Sequence, residues 1–145
     1  MYQKVLIPTD GSDGTRQAIV HGLTIADRFD ATVHALSIVP EGPLGTFDGD
    51  EGRHSAERAV AQVEAVARDR ETGVPVTTAV RDGIPHEEIL DYTDEAGIDL
   101  LVVGTQGRTG LDRVLVGSVA ERLIRMADVP VVTVRRTDES EDGTE

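Results

Sequence analysis

Cysteine is absent from the 145 residues, so neither a disulfide nor a thiolate metal site can form. No apolar run approaches the roughly eighteen residues of a membrane span. The opening MYQKVLIPTD leads straight into a strand and lacks the pattern of a signal peptide. Together these absences predict a cytoplasmic protein. Lysine is nearly missing: Lys4 is the single lysine among 14 basic residues. Those face 27 acids, for a net charge of −13, and no basic stripe exists to neutralise the phosphates of DNA or RNA. An acid-rich, lysine-poor surface suits concentrated salt, where self-repulsion is screened within about 3 Å. The composition therefore predicts a halophilic source. Several chemistries lack their motifs. There is no GxxxxGK[ST], no GxGxxG after the first strand, and no GxSxG around Ser12. His21, His34, His54 and His86 share no metal-ligand spacing. Asp10, Ser12 and Asp13 lack the later glutamate of a calcium loop. Glu87 and Glu88 are adjacent, so on a helix they diverge by about 100° and make no catalytic pair. A receiver domain would want a lysine after its last strand, and none is there.

What is present centres on Leu100 to Val134, LLVVGTQGRTGLDRVLVGSVAERLIRMADVPVVTV. Leu100 to Val103 is a short, buried-strand pattern stopped by Gly104. Gly107 and Gly110 follow at three-residue intervals. After Gly117-Ser118, Val119, Ala120, Leu123, Ile124 and Ala127 recur at helical spacing, with Ser118 at or next to the N-cap. Past Pro130, Val131 to Val134 make another strand. Glycines let a ligand approach main-chain N–H groups closely, and a helix N-terminus suits a phosphate. From Leu100 to Arg136 six arginines (108, 113, 122, 125, 135, 136) stand against three acids (Asp112, Glu121, Asp128). The segment is locally positive inside a negative chain, which favours an anionic ligand.

The remaining chain reads as further strand–helix pairs. Val5 to Ile7 form a first strand stopped by Pro8, and Thr9 to Gly14 turn into a helix capped by Ser12 and running to about Phe29. A strand from about Thr32 to Val39 precedes PEGPLGTFDGDEG, residues 40–52, which reads as a loop able to act as a lid. A helix from about Arg53 to Glu71 and a strand from Val76 to Val80 follow. Pro85, with Glu87 and Glu88 behind it, opens a helix ending near Gly97. The βαβαβαβαβ rhythm predicts a five-stranded parallel α/β sheet with helices on both faces, Rossmann-like. In the order 3-2-1-4-5 the loops after strands one and four meet at the topological switch point, where such sheets bind ligands.

Gly104, two residues, Gly107, nine residues, then Gly117-Ser118, with the opening VLIPTDGSD, resembles the ATP-binding branch of the universal stress protein family. The resemblance covers residues 1–136 as one domain, with an adenine nucleotide alpha hydrolase-like fold; it leaves 137–145, TDESEDGTE with five acids and no apolar residue, as a disordered tail. It implies an ATP-binding protein (or one binding ADP or AMP) that serves as a nucleotide-dependent switch or scaffold in stress response. It is not an enzyme beyond slow ATP hydrolysis. The implied nucleotide-binding residues are Pro8, Thr9, Asp10, Val39, Gly104, Gly107, Arg108, Gly117, Ser118 and Val119, with Arg81, Asp82 and Gly83 approaching as well. Gly104, Gly107, Gly117 and Ser118 would cradle the phosphates, Asp10 would face the ribose or a phosphate-bound Mg²⁺, and the Val39 main chain would read the adenine edge. A homodimer through Val131–Val134 is implied too. Two other classes compete: a dimeric interaction module that binds no nucleotide, and an adenylating enzyme, whose SGGxDS-type loop is only partly matched by TDGSDG. Carboxylate repulsion is strongest where screening is weak, so thermal unfolding should show a melting temperature that rises from low salt to multimolar KCl. An unchanged midpoint would count against it.

Overall fold

Val5, Leu6 and Ile7 are wholly removed from solvent, as three consecutive residues can be only in a strand covered on both faces. They lie in β1 (Lys4–Pro8). The computed structural model describes residues 2–40, 49–105 and 118–135. After β1 come α1 (Asp13–Phe29), β2 (Thr32–Pro40), α2 (Gly49–Asp69), β3 (Val76–Gly83), α3 (Pro85–Ala96), β4 (Leu100–Gly104), α4 (Ser118–Met126) and β5 (Val131–Val134). The sheet order is β3-β2-β1-β4-β5 and every pairing is parallel, the topology that the strand–helix rhythm predicts.

Side chains alternate across each strand, and the core divides accordingly. Val5, Ile7, Val33, Ala35, Leu100 and Val102 pack with residues of α1 and α2, such as Ile19, Leu23 and Val63. Leu6, Leu36, Leu101 and Val103 pack with Ile89 and Tyr92 of α3 and with Ala120 and Leu123 of α4. The single lysine helps hold the sheet's lower edge together. Lys4 Nζ donates to the Ala96 carbonyl at 3.0 Å, at the end of α3, where a cation is favoured by the helix dipole. The Asp99 carboxylate accepts from the Gln3 and Lys4 main-chain N–H groups.

Several boundaries depart from the sequence reading. The third strand continues to Gly83 instead of stopping at Val80, because each residue from Val76 to Gly83 finds a β2 partner. The helix expected from Arg53 begins at Gly49, so part of the predicted 40–52 loop is helical; residues 41–48 lie outside the described residues. Ile124 does not share the buried face of α4: it is 53% exposed.

His34, read from sequence as an isolated histidine, is half-buried on the α3 side of the sheet. Its Nδ1 lies 2.7 Å from the Tyr92 hydroxyl. The Arg81 guanidinium stands 4.9 Å over the Tyr92 ring and pairs with Glu95 and Glu88. Burial, and secondarily the Lys4 charge, holds the His34 pKa below its usual 6.5. The folded state therefore prefers the neutral ring. Its stability is complete above pH 6.5 and falls as the pH drops below that value through the folded pKa. Relative to His34→Gln, the wild type should lose stability in urea unfolding between about pH 7.5 and about pH 5.5, and the ring's NMR titration should have its midpoint below 6.5. A pH-independent difference between the two proteins would refute this.

Candidate functional site

The chain reverses its order in the sheet between β1 and β4, and the loops after both strands open at the carboxyl edge. Leu6 pairs with Leu101. Thr9 and Gly104, each three residues further on, both lie toward that edge. β2 reaches higher: Pro8 is level with Leu36, so Ile38 to Pro40 rise past the end of β1 and form a wall.

The β1–α1 loop is fixed by its own side chains. Thr15 Oγ1 donates to the Ser12 carbonyl at 2.8 Å, which commits its only hydroxyl hydrogen. Across the 3.1 Å Thr9–Thr15 hydroxyl contact Thr9 must then be the donor. Thr9 Oγ1 in turn accepts the Gly11 N–H at 3.1 Å. Asp10 Oδ1 accepts the Ser12 N–H at 2.9 Å, an Asx turn. Thr9 N–H closes the loop onto the sheet by donating to the Leu36 carbonyl at 2.9 Å. Ser12 stands at the expected N-cap position, but its side chain makes no cap bond. The N-terminal turn is held through Asp10 and Thr15 instead, and the Ser12 hydroxyl oxygen is buried without a partner.

Gly104 shows how closely α1 approaches the end of β4. A Cβ there would stand 2.7 Å from the Gly14 carbonyl oxygen and 3.4 Å from Thr15 Cα. Both neighbours are backbone, so the first turn of α1 rests directly on the end of β4. Thr105 N–H donates to the Val134 carbonyl at 3.1 Å, aligning the end of β5 with the same place.

Of the residues singled out from sequence, Pro8, Thr9, Asp10, Val39, Gly104, Ser118 and Val119 are described. Pro8 ends β1 half-buried, Thr9 is buried, and Asp10 is half-buried in the turn. Ser118 is the first residue of α4 and is exposed. Val119 packs its side chain against the α3–α4 core, which leaves its main chain for any ligand. Gly107, Arg108 and Gly117 lie outside the described residues. Arg81 turns to Tyr92 and Glu95, and Asp82 pairs with Arg53 of α2 at 3.2 Å, across exposed side chains where such a pair contributes little.

The structure separates Ile38 from its neighbour Val39 by main-chain direction. The Leu36 carbonyl faces β1, since it accepts from Thr9. Main-chain polar groups alternate direction along a strand, so those of Ile38 face the same side, past the end of β1 and over the cleft. The signal was the hydrogen-bonding parity of β2, which a sequence pattern does not carry.

A cavity of about 360 Å³ opens between the β1–α1 loop and α2. A larger one, about 550 Å³, is lined by Asp27, Asp69 and Glu71 among others, where α1 and α2 end. That is the opposite edge of the sheet, and its three carboxylates outnumber the one arginine there, Arg70.

The model of the "Universal stress protein family" matches residues 1–135. The chain belongs to the universal stress protein family. Within that family it is 37% identical to universal stress protein MJ0531 of Methanocaldococcus jannaschii, over 94% of this chain and 84% of that protein. The solved structure of MJ0577, from the same organism, superposes with a TM-score of 0.76 at 29% identity, over 95% of this chain and 99% of that one. A universal stress protein solved in complex with cAMP superposes at 0.71 with 27% identity, over 94% and 99% of the two chains.

The backbone contact at Gly104 gives a direct test. Gly104→Ala should lower unfolding free energy by about 1–3 kcal/mol, the usual range for overpacking, as read by urea denaturation. An unchanged midpoint would mean that α1 can lift off β4.

Proposed function

We propose that this universal stress protein binds an adenine nucleotide at the carboxyl edge of β1 and β4 and serves as a nucleotide-dependent switch or scaffold in a stress response. The observation that carries the reading is the seating of α1 on Gly104, which sets the β1–α1 turn against the end of β4. The cAMP-bound relative supports an adenine nucleotide as the ligand class. In this reading Pro8, Thr9 and Asp10 line the ribose side, and Val39 flanks the adenine while the Ile38 main chain offers it hydrogen bonds. Gly104, Gly107 and Gly117 bring main-chain N–H groups to the phosphates, joined by the Ser118 hydroxyl and the Val119 N–H. Arg108 adds charge.

The residues fit such a ligand. Ser118 opens α4 toward solvent, so its hydroxyl and the first-turn N–H groups are available to an anion. Among the described residues no three metal-ligating side chains cluster. Mg²⁺ would accordingly be held chiefly by the phosphates, with Asp10 as the nearby carboxylate. ATP turnover is slow in this reading. Residues 1–136 act as one domain, with 137–145 as an acidic tail, in the cytoplasm of a halophile.

The same reading makes the protein a homodimer through β5, which among the described residues pairs on one side only, with β4. Ile124 and Met126, each 53% exposed on the preceding helix, add exposed apolar surface. This also favours the second reading, a dimeric interaction module without nucleotide. Protein denatured from its native salt should release a stoichiometric adenine nucleotide on chromatography, and Gly117→Val should abolish nucleotide binding while leaving the dimer intact. A wild type that arrives empty and gives no signal with Mg-ATP would leave the bare dimer.

A further inference from the structure

The cleft between the β1–α1 loop and α2 has a wall that the proposed nucleotide contacts do not use. Ser55, Arg58 and Gln62 line it from α2, opposite Asp10 and Ser12. Their spacing puts them on one stripe of the helix, with Ala59 between them. A Cβ on Gly11 would stand 3.4 Å from Ala59 Cβ, so loop and helix touch there, and the three polar side chains border the contact.

Arg58 is unusual in so acidic a chain. Its helical neighbours at three and four residues, His54, Ser55, Ala61 and Gln62, carry no carboxylate. None of the ion pairs among the described residues includes it. Its guanidinium keeps five N–H donors in a planar fork that matches a phosphate. The Ser12 hydroxyl oxygen, in the same wall, is buried without a partner. The main-chain N–H groups of Gly11 and Ser12 are already taken by Thr9 and Asp10. An anion held here would therefore depend on side chains, foremost Arg58.

We propose that this wall is a subsite for a phosphate carried on the ribose of the bound nucleotide, and that Arg58 is the residue that reads it. The inference rests on the nucleotide reading above, which stands the ribose beside Asp10. Elsewhere among nucleotide-binding α/β folds, a carboxylate past a strand end hydrogen-bonds the ribose hydroxyl, or a nearby arginine accommodates a phosphate on that ribose. Here both groups line one cavity of about 360 Å³. A phosphate there meets repulsion from Asp10, and the Arg58 fork with the Ser55 and Gln62 donors offsets it.

Calorimetric titration with AMP, adenosine 2′,5′-bisphosphate and adenosine 3′,5′-bisphosphate tests this, all at one salt concentration, for the wild type, Arg58→Ala and Arg58→Lys. The wild type should bind one bisphosphate at least about 10-fold more tightly than AMP, as one added charge-assisted bidentate contact allows. Arg58→Ala should erase that preference with little change in AMP affinity, and Arg58→Lys should restore part of it. Arg58 is exposed, so melting curves should coincide and exclude misfolding. Equal wild-type affinity for all three ligands, or a preference that survives in Arg58→Ala, overturns the subsite and leaves the nucleotide reading standing. A wild type that binds none of the three overturns both.

Discussion

The seating of the α1 N-terminal turn on the end of β4 is the constraint on which the rest of the cleft depends. It is a contact of backbone with backbone, with the Gly14 carbonyl 2.7 Å from where a Gly104 Cβ would be, so no side chain can adjust to relieve it. Everything that converges at the carboxyl edge follows from it. The Thr9–Thr15 hydroxyl pair and the Asp10 turn stand at one side of the contact. At the other, the chain leaves Gly104 for the segment that returns at Ser118. A sheet alone would bring β1 and β4 side by side; this contact brings the first turn of α1 onto the end of β4.

That explains why the architecture was legible in the sequence and the site only partly so. Strands such as Val5-Leu6-Ile7 and Leu100 to Val103 are buried on both faces, and continuous apolar runs announce that without ambiguity. Gly97, in a left-handed conformation at the end of α3, and Pro85 at its start mark their boundaries locally. The misjudged boundaries lie where tertiary pairing overrides local preference. Arg81 and Asp82 have little apolar character, yet the β2 ladder carries β3 through them to Gly83. Gly49 to Gly52 looks like loop, yet α2 extends through it. Within the site, the glycine spacing and Asp10 were visible as motifs. The parity that turns Ile38 to the cleft, and the orphaned Ser12 hydroxyl, arise from register and packing and leave no trace in composition.

Charge is distributed by role. The lone lysine is committed at the edge opposite the cleft, where its ammonium meets the Ala96 carbonyl. Arg81 is tied to Tyr92, Glu88 and Glu95 on the α3 side, next to the half-buried His34. Arg58 on α2 is differently placed: it faces neutral helical neighbours and lines the cavity beside the β1–α1 loop.

The hydrogen bonds of the β1–α1 loop also bear on the adenylating-enzyme alternative. A loop that handles pyrophosphate after the first strand must present free main-chain N–H groups to it. Here the Gly11 N–H goes to Thr9, the Ser12 N–H to Asp10, and the Thr15 N–H to the Ser12 carbonyl. Releasing them for a ligand would dismantle the turn that seats α1 on β4. The partial likeness of TDGSDG to SGGxDS thus conceals opposite uses of the same positions. Threonine and aspartate close the loop on itself, so the main-chain N–H groups of Gly11, Ser12 and Thr15 are spent within the turn and none of the three is left for a pyrophosphate.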